Sequence, residues 1–358
     1  DVERRTWGSC ELSVEIRTGF PSTFCGSRCL RSKVYMSNPY ISKSKYLAGL
    51  QCQKLLWYHY NARSRIPEPD EETQAMFDQG HTVGELAKKL FPDGLQVVWD
   101  QPQKGVLRQT QELMIFRQPL FEAGFRHEDM YARADILAPA PNGKWDIVEV
   151  KMGSEVKPVN LQDVAFQRCC YEGAGLPVRK CFIMHVDTDY VRKGDIEPEK
   201  LLMKEDVTDE TSAIVGEAPG KVGRMMEIIG MKQCPAQDIG PHCKDPYPCP
   251  LLDLCWAHVN KHENSVFTLP NARGRDWELY RMGILTTDRI PAGFNLLDKH
   301  VIQLEAERSG KPRVDRPRLA EFLENLEYPV YYLDFETFGY NLPIPLIERS
   351  SPYRHRAQ

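Results

Sequence analysis

Runs of apolar residues that alternate with polar ones predict β-strands in the central part of the chain. Residues 133–137 and 145–151 are separated by two prolines, an asparagine and a glycine, which cannot easily continue a strand or a helix. These two runs therefore predict a β-hairpin. Residues 180–186 predict another strand, and the runs at 96–99 and 113–116 predict two more.

Apolar residues at helical spacing lie between and beyond these strands. Residues 42–57 and 70–90 predict two helices, and the Phe-Pro-Asp-Gly that follows residue 90 ends the second. Residues 160–173 predict a helix between two strands, 200–231 a charged helical section, and 276–297 a helical connector. Strands and helices mixed in this way predict an α/β fold with a mixed sheet.

The predicted hairpin carries a concentration of charge. Asp135 lies on its first strand, and Glu149 and Lys151 lie on its second. Because strand side chains alternate, Glu149 and Lys151 share a face, and Val150 points the other way. Two carboxylates and an ammonium that converge are costly to bury unless a cation or a substrate compensates them. Carboxylate oxygens suit Mg²⁺ or Mn²⁺, and the lysine could orient a water or steady a phosphate. An exposed hairpin with a surface salt bridge is the alternative.

Two further polar features flank this hairpin in the sequence. Gln167 and Tyr171 are four positions apart on the predicted helix 160–173, so they lie on one helix face. His81 lies upstream, within the predicted helix 70–90, and offers an imidazole.

The order of these parts resembles the PD-(D/E)xK nuclease superfamily, and within it the RecB-like exonucleases. In that family an Asp, a Glu-x-Lys and a Gln-x-x-x-Tyr follow one another in this order, preceded by a His. The resemblance implies a restriction-endonuclease-like core, in which helices flank a mixed sheet. The metal ligands it implies are His81, Asp135, Glu149 and the carbonyl of Val150. The catalytic and site-lining residues it implies are Asp135, Glu149, Lys151, Gln167 and Tyr171.

A second group of candidate functional residues, three cysteines, follows the predicted core in the sequence. Cys243, Cys249 and Cys255 are evenly spaced, with prolines between them. In a cytosolic chain, clustered cysteines are more often metal ligands than disulfides. A tetrahedral thiolate site needs a fourth ligand, for which Cys52 and Cys234 are the candidates. Four cysteines by themselves fit either zinc or an iron–sulfur cluster.

The resemblance to RecB-like exonucleases favours an iron–sulfur cluster over zinc. RecB-like exonucleases of the CRISPR-associated "Cas four" type and of the AddB type place one cysteine before the nuclease core and three after it. These four hold a [4Fe–4S] cluster that clasps the two ends of the domain. Cys52, Cys243, Cys249 and Cys255 match that layout, which implies a helical subdomain stapled by iron and sulfur, with zinc as the alternative. The first spacing differs, because the CRISPR-associated proteins typically use Cys-x-x-Cys there and this chain has five intervening residues.

Charge and hydropathy narrow the class of protein. The formal net charge of −4 means that any nucleic-acid contact must come from a local basic patch. No apolar run approaches the roughly 20 residues needed to cross a bilayer, and the first thirty residues lack the apolar segment of a signal peptide. We therefore expect a soluble, cytoplasmic protein with no membrane partner.

The chain ends differ from the centre. Asp334 and Glu336 follow an aromatic and β-branched run, and this resembles the first motif of DnaQ-like exonucleases. The whole layout resembles a bacterial family that joins a RecB-like nuclease to a DnaQ-like exonuclease. The predicted regions are 1–36, a disordered or non-native extension; 37–260, a nuclease domain with the cluster; 261–327, a helical connector; and 328–358, the truncated start of a DnaQ-like domain.

Three functions fit these observations. The first is a metal-dependent DNA nuclease, acting on the ends of single-stranded or unwound DNA, in which metal ions activate a water and stabilise charge on the scissile phosphate. The second is a DNA-end clamp that keeps the nuclease fold without turnover. The third is a zinc-stabilised interaction protein in which the acidic hairpin is incidental.

Overall fold

The structure, a computed structural model, describes residues 39–98 and 100–334. The strands are β1 (Ile41–Ser42), β2 (Leu95–Gln96), β3 (Leu120–His127), β4 (Met130–Pro139), β5 (Trp145–Val150), β6 (Val178–Val186) and β7 (Leu202–Asp206). The helices of the sheet-bearing part are α1 (Lys43–Gln51), α2 (Gln53–Asn61), α3 (Glu71–Lys88), α4 (Gln103–Met114), α5 (Pro158–Gly173), α6 (Pro198–Leu201), α7 (Thr208–Ile214) and α8 (Ala218–Ile229). The later helices are α9 (Leu252–Asn260), α10 (Arg275–Arg281), α11 (Asp298–Ser309) and α12 (Arg316–Glu324).

Within the described residues the strands form one mixed sheet in the order β2-β3-β4-β5-β6-β7, and β1 pairs with β4 outside this path. The pairs β3/β4, β4/β5 and β6/β7 are antiparallel. The pairs β1/β4, β2/β3 and β5/β6 are parallel. The prediction of an α/β fold with a mixed sheet flanked by helices is confirmed at this level.

The predicted hairpin is β4 and β5, with Ile136 opposite Val148 and Leu137 opposite Ile147. Its turn runs through Asn142 and Gly143, whose φ angles are 58° and 75°. Asparagine and glycine are the residues that adopt positive φ at least cost, so the local sequence favours this turn.

The two faces of the sheet are covered by different helices. Leu137 and Ile147 point into the larger core, which α1, α5 and α8 complete through residues such as Tyr46, Phe166 and Met225. The opposite face presents Ile136 and Val148 to α3, whose Val83, Leu86 and Ala87 are buried. Side chains next to Leu137 and Ile147 on the same strand face therefore lie under α1 and α5.

The structure corrects the strand predicted at 113–116. Leu113 and Met114 form the last turn of α4, and Ile115 and Phe116 are 79% and 64% exposed. The apolar run continues the helical spacing of the buried Val106 and Thr110. Four consecutive apolar residues, Leu113 to Phe116, fit a short strand as well as the end of a helix, and only the spacing from Val106 and Thr110 distinguishes the two.

The strand predicted at 96–99 is shorter in the structure. Strand β2 holds only Leu95 and Gln96, residues 97 and 98 follow outside it, and Trp99 lies outside the described residues.

The predicted helical section 200–231 is also corrected. Strand β7 interrupts it, pairing with β6 at the sheet edge. Only Leu202 of β7 is buried, and its other four residues are exposed and mostly charged. Charged residues on an edge strand discourage pairing with other chains, and the same charges made this segment resemble a solvated helix.

The connector predicted at 276–297 contains less helix than expected. Helix α10 ends at Arg281, Gly283 follows with a φ of 77°, and helix resumes only with α11 at Asp298. A separate small core includes Val266 of the 3₁₀ helix Val266–Thr268, Leu279 of α10 and Leu304 of α11.

The terminal predictions fall mostly outside the described residues. This applies to the extension 1–36 and to Glu336, whereas Asp334 is described and exposed. In the described part of the chain, no helix is both long enough and apolar enough to cross a bilayer.

Candidate active site

The paired strands β4 and β5 bring the first two carboxylates together. The pairing of Ile136 with Val148 makes Asp135 and Glu149 the next residues to face each other. Both lie on the strand face that is covered by α1 and α5. The backbone N–H of Val150 donates a hydrogen bond to Asp135 Oδ2 at 2.7 Å, so the second strand orients the carboxylate of the first.

Glu149 is the centre of the site. Its Oε1 accepts hydrogen bonds from the ammonium groups of Lys43 and Lys151, both at 2.7 Å. Its Oε2 accepts one from Gln167 Nε2 at 2.8 Å. The side chain is only 1% exposed, so this carboxylate is compensated almost entirely by protein groups.

A third carboxylate comes from α5. Asp163 Oδ2 accepts a hydrogen bond from Lys151 at 2.7 Å, and its Oδ1 accepts one from Gln167 at 3.1 Å. Asp163 and Gln167 are four residues apart on one face of the helix, and both are buried. The lysine after β5 is thereby held between a strand carboxylate and a helix carboxylate.

Both lysines remain charged in this setting. Burial alone would lower the pKa of Lys151, but the carboxylates of Asp163 and Glu149 outweigh it and raise the pKa above its ordinary value. The same balance, with Asp163, Glu149 and Asp135 opposing burial, raises the pKa of Lys43. Neither ammonium is therefore a ready general base near neutral pH.

The pKa values of the two facing carboxylates are shifted in opposite directions. Burial would raise the pKa of Glu149, but Lys151 and Lys43 together hold it below its ordinary value. Burial and the neighbouring Glu149 raise the pKa of Asp135, which Lys43 and Lys151 only partly offset. The pair therefore shares its charge unequally, as expected for two carboxylates that face each other.

The donor set fits a hard divalent cation bound through two carboxylates. Lys43 Nζ lies 2.7 Å from Glu149 Oε1 and 3.8 Å from Asp135 Oδ1, so one cationic group already reaches both. The buried Oε1 of Gln167, beside Glu149, lacks a hydrogen-bond partner. In the described residues, no three His, Cys, Asp or Glu side chains are arranged to hold a metal ion. Mg²⁺ commonly uses one or two carboxylates and completes its shell with waters and substrate phosphates.

The other residues predicted for the site lie in different surroundings. Tyr171 shares the helix face of Gln167, but it is fully buried and its hydroxyl donates to the Ala123 carbonyl at 2.8 Å. His81 is exposed on α3, the helix that covers the opposite face of the sheet. Val150 contributes its N–H to Asp135. The metal-binding roles of His81 and of the Val150 carbonyl remain predictions.

Sequence reasoning missed Lys43 and Asp163. A signal for Asp163 was available, because the spacing of Gln167 and Tyr171 extends one helical turn backward to it. Lys43 had no such signal, since it lies 106 positions before Glu149 and next to other lysine and serine residues.

The four cysteines of the predicted cluster line one cavity. Cys52, Cys243, Cys249 and Cys255 all contribute to its wall, together with Gln237 and His242. Each is a free thiol. Burial raises the pKa of Cys249 to about 11, and the nearby thiols of the other three add to this shift. Cys234 does not line the cavity, although it packs in the same apolar cluster as Cys52.

Hydrogen bonds also hold the two ends of this region together. Gln51 Nε2 donates to the carbonyls of His242 and Tyr247, at 2.9 and 2.7 Å. The backbone N–H of Gln53 donates to Gln237 Oε1 at 2.8 Å. The junction of α1 and α2 is therefore fixed to the loop that carries the three later cysteines.

Comparison with known proteins gives only distant similarity. No protein-family profile matches the chain, and no curated protein matches it. The crystal structure of SSO0001 is similar with a TM-score of 0.33 and 11% identity, over 62% of this chain and 87% of that one. The crystal structure of LHK-Exo in complex with dAMP gives 0.30 and 11%, over 53% and 89%. A crystal structure of this alkaline exonuclease from Laribacter hongkongensis gives 0.22 and 10%, over 52% and 90%. Similarity at this level does not establish a shared activity.

Proposed function

We propose that this protein is a metal-dependent nuclease that hydrolyses phosphodiester bonds in DNA, with its active site at Asp135, Glu149 and Lys151. The observation that carries the proposal is the pair of facing carboxylates, the buried Glu149 and the partly exposed Asp135, which one cationic group already bridges. The order of the sequence motifs, which resembles that of RecB-like exonucleases, supports the same activity.

The protein residues have separate tasks in this proposal. Asp135 and Glu149 would hold the metal ion, which would supply an activated water and offset charge on the scissile phosphate. Lys151 stays protonated between Glu149 and Asp163, so it acts as a fixed positive charge for the phosphate or as a hydrogen-bond donor to the water. Gln167 orients Glu149 and Asp163, since its amide donates to both.

The substrate we propose is DNA, as single strands or as duplex ends. An overall charge of −4 gives no general attraction to DNA, so we propose a local contact.

The test is cleavage of end-labelled single-stranded and duplex DNA with Mg²⁺, with Mn²⁺ and with a chelator. We expect metal-dependent release of short products that Glu149→Gln abolishes. Glu112→Gln is the matched control, because Glu112 is an exposed carboxylate on α4 that pairs with Arg108. Metal-dependent cleavage that survives in a folded Glu149→Gln variant would disprove this active site. DNA binding without any turnover in the wild type would favour the end clamp instead.

We also propose that Cys52, Cys243, Cys249 and Cys255 hold a [4Fe–4S] cluster that staples the nuclease region, 37–260. Zinc needs all four sulfurs at about 2.3 Å from one ion. A cluster binds each thiolate through its own iron, so it suits four thiols that line one cavity. Among the described residues these thiols are not arranged to hold a single metal ion. We expect iron and acid-labile sulfide, in equal amounts, in protein purified without air. Zinc in place of iron would favour the interaction-protein alternative.

A further inference from the structure

Lys43 enters the carboxylate site from outside the hairpin. It is the first residue of α1, and its ammonium lies 2.7 Å from Glu149 Oε1 and 3.8 Å from Asp135 Oδ1. These two carboxylates are the ones we propose as metal ligands. The lysine therefore occupies the space between them that a bound cation would share.

The charged side chains around Lys43 explain why its position matters for metal binding. Three carboxylates, those of Asp135, Glu149 and Asp163, face the two ammonium groups of Lys43 and Lys151. Lys151 is anchored on both Glu149 and Asp163, whereas Lys43 contacts both members of the facing pair, Asp135 and Glu149. A divalent cation on this pair would lie in close contact with Lys43 Nζ, and like charges at such distances repel strongly in a partly buried site.

We propose that Lys43 is a built-in counter-ion of the metal site, which holds Asp135 and Glu149 in place and has to move away when a divalent cation binds them. This inference rests on the proposed function, because it takes the two carboxylates as the metal ligands. The side chain of Lys43 is 26% exposed, and its flexible stem can carry the ammonium toward solvent. Lys43 thus weakens metal binding and stabilises the metal-free protein.

The first test measures Mn²⁺ binding by calorimetry, with no DNA present. Lys43→Met keeps the length of the side chain and removes its charge, and we expect the Kd for Mn²⁺ to fall by about tenfold or more. Lys45→Met is the matched control, because Lys45 lies in the same helix and pairs with His59 instead of a carboxylate. Its Kd should equal that of the wild type. A Kd in Lys43→Met that is unchanged or higher overturns the inference.

The second test measures thermal unfolding. Without metal, Lys43→Met should unfold at a lower temperature than the wild type, and Mn²⁺ should raise its Tm by more than it raises that of the wild type. Lys43→Arg keeps the charge and should retain the weaker, wild-type Kd. If Mn²⁺ raised the Tm of Lys43→Met and of the wild type equally, this result would contradict the displacement of Lys43 by the metal ion.

A measurement on the wild type covers the case in which Lys43→Met does not fold. The side-chain NMR signal of Lys43, assigned by its loss in Lys43→Arg, should shift as Mg²⁺ is added, because the bond to Glu149 is broken. A signal that stays in place at saturating Mg²⁺ overturns the inference.

Failure of this inference can be told apart from failure of the proposed function. If Glu149→Gln binds Mn²⁺ as tightly as the wild type, the proposed metal site itself is wrong. If Glu149→Gln loses Mn²⁺ binding while Lys43→Met binds as the wild type does, only the role of Lys43 is wrong.

Discussion

At the scale of single residues, Lys151 has one role in catalysis and one in stability. Separate measurements on a single variant distinguish the two. Its ammonium bridges Glu149 and Asp163, and its protonated state suits it to stabilise charge in the transition state. Lys151→Ala should abolish cleavage and leave DNA binding largely intact. It should also lower the free energy of unfolding by on the order of 3 kcal/mol, because two buried carboxylates lose a partner.

The measurements are single-turnover cleavage, binding of labelled DNA in a chelator, and urea unfolding. Lys144→Ala, on the exposed hairpin turn, is the control for loss of a lysine from the same hairpin. Cleavage by Lys151→Ala at the wild-type rate would show that Lys151 takes no part in catalysis.

His59 is the residue for which we predict a stability change with pH. Its Nδ1 faces the cationic groups of Lys45, at 2.9 Å, and Arg63, at 3.2 Å, so the proton of the neutral ring lies on Nε2. Burial, with these two cations, lowers its pKa from 6.5 to about 4. Between these values the unfolded chain binds a proton that the folded chain does not, so stability falls as the pH decreases.

Urea unfolding at pH 7.5 and pH 5 measures this effect. The raised pKa of Asp135 acts in the opposite direction, but it does so equally in both proteins. As the pH falls, the stability of His59→Gln should therefore rise relative to that of the wild type, because a glutamine does not titrate. His258→Gln, at an exposed histidine on α9, is the matched control and should follow the wild type. Identical pH dependence in His59→Gln and the wild type would contradict this prediction.

At the scale of elements, Tyr171 connects α5 to β3. Its hydroxyl donates to the Ala123 carbonyl, and its ring packs against Phe125 at 4.4 Å between centroids. Tyr171→Phe removes only the hydroxyl and leaves a buried carbonyl without that partner. We expect a loss of about 1–2 kcal/mol in the free energy of unfolding.

The rate of cleavage by Tyr171→Phe separates a structural tyrosine from a catalytic one. The hydroxyl is engaged by the Ala123 carbonyl in the core, so the rate should stay near that of the wild type. A large fall in rate without a loss of stability would restore the catalytic role implied by the family resemblance.

At the scale of the whole molecule, the cysteine cavity joins segments almost two hundred positions apart. Closing so long a loop restricts the unfolded chain, so a cluster held by Cys52 and the three later cysteines should stabilise the fold. We expect Cys52→Ser to lose iron and thermal stability together. Cys234→Ser, at a cysteine outside the cavity wall, should keep both.

Hydrogen bonds from Gln51 and Gln53 also fix this junction, so Cys52→Ser should remain folded although less stable. Iron content and thermal unfolding, measured on protein handled without air, provide the comparison. If Cys234→Ser lost iron and Cys52→Ser kept it, the metal would be bound locally by Cys234 and the later cysteines. It would then not join the two distant segments.

The sequence by itself determined the local parts of this protein. The hairpin follows from two alternating runs around an Asn-Gly turn, and the shared face of Glu149 and Lys151 follows from the two-residue period of a strand. Helix α5 lies within two residues of its predicted start, because its periodic pattern is long. The terminal turn of α4 and the charged strand β7 were misread, since apolar or charged runs fit helix and strand equally well.

Only the tertiary structure decided which distant groups meet these local parts. Lys43 reaches Glu149 because α1 packs on the same face of the sheet as α5, and no local pattern encodes that contact. Asp163 is buried beside Lys151 for the same reason. The cysteines at 52 and 243–255 share one cavity because hydrogen bonds fix the start of α2 to a loop far along the chain. Periodicity reports the faces of single elements, whereas the charge balance of a buried site depends on every element that packs around it.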